Sequence, residues 1–349
     1  MKNRRWHRID VSRAQTSRDW PARATKTWSL LPPHATLRRN LTGYAPSMQF
    51  FFRQHSHRTA SLIIFLSSGV WGIMWFPMHE AESLGLPPIW VQGIFMLMPA
   101  LVLMPFAWRA TLAARHHWPV YLAAGGLINA GFTCFGLGLL LASVSKTTVL
   151  FYLTPVWGTI FGRFFLGERP GRQRWLAVGA AVIGCGLVMR IDPWQLAFEP
   201  ADLLGLFSGL LWGAGAVVLR RHPEADFRNI SLVQYCVGVV LAGLIILLMD
   251  TPVPPPGAVA AAMPWAFVFG GLVFLPALML VFRISQYLSP GLVGILMLSE
   301  VLVAATTAAL FLGERLDPAQ LVGVVLIMAA GAGVAFAGPQ SHHDDRATG

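Results

Sequence analysis

The chain has 349 residues, 55% of them hydrophobic and only 12% charged, with a mean hydropathy of +0.58. A water-soluble chain carries charge at about 25% of its positions, so there is too little polar surface here to cover a soluble globule, and the class is membrane. The net charge of +10 sits at one end: residues 1–58 hold twelve of the 26 Lys and Arg but only two of the 16 acids, which leaves fourteen of each sign for everything after Arg58.

That basic stretch, residues 1–58, comes first in the chain. It lacks hydrophobic periodicity and contains Pro, Ser and Thr, so a disordered cytoplasmic tail is expected. Anionic lipid headgroups are its nearest partner, ahead of nucleic acid. Its Arg-rich, acid-poor composition also matches an organelle transit peptide. A start at Met48 would give a short lead into the first apolar run, and is preferred.

A helix needs about 20 mostly apolar residues to cross the hydrocarbon. Ten such runs follow, near 60–79, 88–108, 119–141, 146–166, 173–190, 202–220, 229–249, 262–283, 290–312 and 318–337, with residues 338–349 as a C-terminal cytoplasmic tail. Short connections marked by Pro, Gly or charge separate them. Backbone polar groups in lipid must bond within their own segment, so an all-α polytopic membrane protein of ten transmembrane helices is expected. Cys134, Cys185 and Cys236 all fall inside apolar runs, which excludes a disulfide framework or a cysteine metal site.

With the N-terminus inside, nine Lys and Arg lie in the inside loops against Lys146, Arg190 and Arg315 outside. The positive-inside rule then places both termini in the cytoplasm of a bacterial inner-membrane-type bilayer.

The runs repeat. "FLGER" occurs at 165–169 and 311–315, an offset of 146, and "SSGVWG" at 67–72 aligns with "SGLLWG" at 208–213, an offset of 141. The chain is thus two five-helix units, 60–190 and 202–337. Five is odd, so the second unit enters the membrane from the opposite face. Inverted repeats favour a pair of states, inward-open and outward-open, with substrate near the midplane between the halves.

The run "LASVSKTTVLFYLTPVWGTIFGRFFLGERP" resembles the third-to-fourth helix signature of the EamA family of the drug/metabolite transporter superfamily. "ISQYLSPGLVGILMLSEVLVAATTAALFLGERLDPAQLVGVVLIMAAG" is similar to the matching eighth-to-tenth signature. The resemblance covers about residues 60–337. It implies a ten-helix carrier of metabolites, often an exporter of amino acids or related compounds. The sequence departs from the family at Val301, where a Pro usually follows the Glu equivalent to Glu300, so a straighter ninth helix is expected.

Glu300 is the one acid in the central part of a span. An ionised carboxylate there costs about 2.5–3.5 kcal/mol even on the lenient insertion scale, so it must face the bundle interior. A role in binding a cationic group or a coupling proton is set against plain interhelical hydrogen bonding. With no Lys or Arg in mid-span, protonation or a hydroxyl partner is expected. Trp71 and Trp212 occupy equivalent repeat positions deep in their helices, where they line a cavity or fill the interface between halves. Of the buried amides and hydroxyls, Asn129 and Tyr152 lie on helices that the resemblance places around the cavity, and Tyr235 completes the candidate substrate-binding set.

An intramembrane enzyme needs His, Asp or Glu ligands in the spans, as in H-E-x-x-H; none of the ten histidines is in mid-span, and no such motif occurs. Walker A is also missing. The expected protein is a secondary transporter working by alternating access, without cofactor or metal. Efflux of multiple drugs or cationic compounds is the alternative cargo reading. A small-molecule substrate, the lipid bilayer, a coupling proton and a second copy of the chain are the candidate partners; nucleic acid is not.

Overall fold

The computed structural model describes residues 57–142, 144–191, 199–312 and 317–336. The N-terminal tail up to residue 56, the second "GER" turn at 313–316 and the C-terminal tail lie outside the described residues. Those that are described form helices joined by short turns, with no strand among them.

We number the helical segments α1 to α10. α1 spans His57–Ser83, α2 Pro88–Ala113 and α3 Trp118–Leu141, the last preceded by a 3-10 turn at Arg115–His117. α4 comes in two pieces, Val144–Phe151 and Thr154–Leu166, and α5 is Arg172–Val188. α6 spans Asp202–Arg221, α7 Phe227–Leu248 and α8 Pro256–Ser285. α9 is again in two pieces, Pro290–Met297 and Ser299–Leu312, and α10 is Pro318–Phe336.

Local chemistry explains where these helices begin and end. Pro88 opens α2 and Pro290 opens α9, at positions where a missing N–H costs nothing. Ser289 caps α9 by accepting from Leu292 N, and Asp226 caps α7 by accepting from Arg228 N. α4 ends at Gly167, in the left-handed region with φ 68°, and Glu168 N donates back to Gly162 O. The first "LGER" is therefore a helix stop.

Nine of the described segments are long and apolar enough to cross a membrane. The tenth expected span is α5, a helix of 17 residues. At about 1.5 Å per residue it reaches roughly 26 Å, a little under the roughly 30 Å hydrocarbon thickness. The protein is an all-α polytopic membrane protein.

The two repeats interlock, and their packing is duplicated. α3 lies on α6, while its counterpart α8 lies on α1. α4 packs on α6 as α9 packs on α1, and α3 on α7 as α8 on α2. α2 and α7, α4 and α9, and α5 and α10 each pack directly on their own counterpart. Small residues permit these approaches. A methyl group added at Gly72 would lie 2.7 Å from Val303 Cβ and from Ala304 N; one added at Gly213 would lie 3.1 Å from Trp157 Cβ and 3.3 Å from Gly158 N. These contacts are the same once the repeat offsets are applied.

Candidate substrate site between the repeats

The breaks in α4 and α9 fall at equivalent positions. The offset of 146 carries Tyr152 onto Leu298 and Thr154 onto Glu300. α9 is thus not the straighter helix that Val301 suggested. Leu298 N donates to Ile295 O and Val301 N to Leu298 O, so the chain tightens into a 3-10-like turn without any proline. This leaves Glu300 in the first turn of the second piece of α9.

The Glu300 carboxyl and the Tyr152 hydroxyl face each other across the two breaks, so its polar neighbour there is a hydroxyl and not a cation. Both residues are half-buried and line a small internal cavity with Phe151, Thr154, Pro155, Gly294, Met297 and Leu298. Its volume of about 10 Å³ is near the room one water needs, too small for a metabolite as it stands. Close approach of α1 completes it. A methyl group at Gly72 would sit 2.5 Å from the Glu300 carbonyl oxygen, which only glycine avoids.

Aromatic rings lead away from Tyr152. It contacts Phe151 at 5.4 Å between centroids, Phe151 meets Trp212 at 6.4 Å, Trp212 meets Phe132 edge-on at 5.0 Å, and Phe132 stacks on Trp71 at 5.6 Å. Four helices and both repeats contribute to this run. Trp71 and Trp212 are therefore linked through Phe132.

Of the expected site residues, Glu300 and Tyr152 come into direct contact, and Trp71 and Trp212 join them through the rings. Tyr235 is buried in the same hydrophobic core, with no hydrogen-bond partner for its hydroxyl among the described residues. Asn129 lies apart, between α2, α3 and α7: its Nδ2 donates to Met96 Sδ and its Oδ1 accepts from Thr133 Oγ1. Gln92 Nε2 reaches Phe132 O at 3.5 Å, and both amide atoms of Gln234 are buried without a described partner. Phe132, Phe151 and Met297 were not singled out in the sequence, because an apolar residue in an apolar run carries no mark of what it will face.

A family model, the EamA-like transporter family, matches this chain twice, over residues 58–190 and 199–336, one match on each repeat. The chain belongs to the EamA-like transporter family. It is accordingly a multi-pass membrane transporter of small molecules and not an enzyme, with the inverted-repeat helical fold of that family.

Among curated EamA-type relatives, a riboflavin transporter of Rhizobium johnstonii is 30% identical over 148 residues, covering 42% of this chain and 47% of that protein. The chain therefore aligns with about half the length of that relative. The pseudopaline exporter CntI of Pseudomonas aeruginosa is 24% identical, covering 62% of this chain and 75% of the exporter. An S-adenosylmethionine uptake transporter of Rickettsia felis is 25% identical, covering 66% and 77%. One crystal structure superposes with a TM-score of 0.66 at 18% identity, over 79% of this chain and 96% of that one, which is a likeness of fold.

Proposed function

We propose that this chain is a secondary transporter that works by alternating access and exports amino acids or related compounds. The observation that carries the reading is the Glu300–Tyr152 contact, set where α4 and α9 both break and where the two repeats meet. A carboxyl at that depth is costly and broken helices mark substrate sites in inverted-repeat carriers. An amino acid suits the local charges: its ammonium group faces Glu300, while its carboxylate meets the positive dipole end of the second piece of α4, which starts at Thr154. Tyr152 supplies ring surface for the rest of the molecule, with Trp71 and Trp212 further along the same run of rings. Tyr235 and Asn129 are the outer members of the proposed set.

The rings also favour a second cargo reading, efflux of cationic compounds, through attraction of a cation to aromatic faces. The distribution of Lys and Arg supports an inner-membrane setting with both termini in the cytoplasm, and Glu300 is the group through which a proton would couple to flux.

The full chain reconstituted in liposomes, offered labelled amino acids and cationic drugs, tests all of this. Glu300→Gln should insert normally and lower flux at least tenfold for whichever cargo moves. Unchanged flux in Glu300→Gln would remove Glu300 from the site, and flux indifferent to every solute and pH gradient would sink secondary transport.

A further inference from the structure

We infer that the gap between Phe132 and Phe274, filled in this state by the Trp71 indole, is a slot for a planar aromatic ring of the cargo, which enters as Trp71 swings out. The inference rests on the Glu300 reading above and narrows its cargo to aromatic amines.

The indole of Trp71 is held like the middle layer of a sandwich. It stacks on Phe132 at 5.6 Å and 16° between planes, and on Phe274 at 5.3 Å and 27°. A flat ring fits such a gap, while an aliphatic chain leaves both faces poorly covered. Three helices meet here, and two of them lose regular α-geometry at this point. α1 turns as a 3-10 helix over Val70–Ile73, around Trp71 itself, and α8 runs as a π-helix over Ala266–Phe274, ending on Phe274. Departures of this kind recur at hinges and functional sites.

The repeat provides an internal control. Trp212, the equivalent residue, lies in the unbroken helix α6, is 3% exposed, and meets its neighbours edge-on at 76° and 80°. That is how this position looks on an unbroken helix, with no ring stacked on the indole face. Trp71 is half-buried, doubly stacked and on a broken helix.

The slot also lies along a continuous run of rings. On one side, Phe274 leads to Phe269 at 6.2 Å, then to Phe76 at 6.3 Å, which is 39% exposed. On the other side, Phe132 leads through Trp212 and Phe151 to Tyr152 and Glu300. Gly72, next to Trp71, touches the Glu300 backbone. The slot and the Glu300 site thus share the same turn of α1.

Binding of radiolabelled tryptamine and of L-lysine to the purified full-length chain separates the roles. Phe132→Leu and Phe274→Leu, which remove a wall of the slot, should weaken tryptamine at least tenfold and leave lysine within about twofold. Trp71→Ala, which empties the slot, should act with the opposite sign and tighten tryptamine severalfold. Residues that merely pack would give losses of the same sign for all three variants. Weakening by Trp71→Ala in step with the wall variants overturns the slot, as does equal loss of lysine, or a wild type that fails to bind tryptamine. Loss of both probes in Glu300→Gln without discrimination by the wall variants overturns the slot alone. Retention of both probes in Glu300→Gln overturns the site on which the slot depends.

Discussion

Gly72 and Gly213 occupy equivalent positions in the two repeats but differ in how closely they are pressed. A methyl group at Gly72 meets the Glu300 carbonyl oxygen at 2.5 Å and Ala304 N at 2.7 Å, both rigid backbone atoms, whereas one at Gly213 meets its nearest atom at 3.1 Å. Overpacking of this kind costs about 1–3 kcal/mol. Gly72→Ala is expected at about 2 kcal/mol and Gly213→Ala below about 1 kcal/mol, read as a larger drop in Tm for the first in detergent. Equal melting of the two would mean that α1 does not approach α9 as closely as described. Glu300 was legible in the sequence for a simple reason: a carboxylate in hydrocarbon is so costly that its presence demands an explanation. Phe132 and Phe274 were not, since one apolar ring in an apolar run looks like any other until a third helix brings Trp71 between them.

Between elements, Gln286 ties the end of α8 to the turn joining α6 and α7. It is fully buried; its Nε2 donates to Ala225 O at 2.7 Å and His222 O at 3.3 Å, and its Oε1 accepts from Arg283 Nη1. Arg220 Nη1 adds a bond to the Gln286 carbonyl. Gln286→Ala leaves buried carbonyls without their donor, at about 1–3 kcal/mol, and should lower Tm accordingly; an unchanged Tm would show the tie to be energetically idle. The same scale explains one miss in reading the sequence. Val301 in place of a proline suggested a straighter α9, but the helix breaks at Leu298, and the break coincides with that of α4. Proline rules describe what a chain permits locally, whereas the position of this break matches the counterpart helix against which α9 packs.

Taken whole, the molecule is two copies of one plan with unequal contents. Helix pairings recur with roles exchanged, yet Thr154 faces Glu300 across the repeat, and a broken α1 faces an unbroken α6. Two inverted copies allow two states of similar energy, and in the proposed site the unequal contents are what would distinguish one cargo from another. If both termini are cytoplasmic, green fluorescent protein fused after Gly349 should fluoresce in bacterial cells and alkaline phosphatase fused there should be inactive; active phosphatase would reverse the orientation. The membrane class, the helical spans, the duplication and the singular position of Glu300 in mid-span followed from the sequence alone, because burial in lipid imposes length, apolarity and a heavy penalty on charge that can be read one segment at a time. The pairing of Tyr152 with Glu300 at one cavity, the coincident breaks and the stacked position of Trp71 were decided only by tertiary structure, because each depends on which helix comes to lie against which.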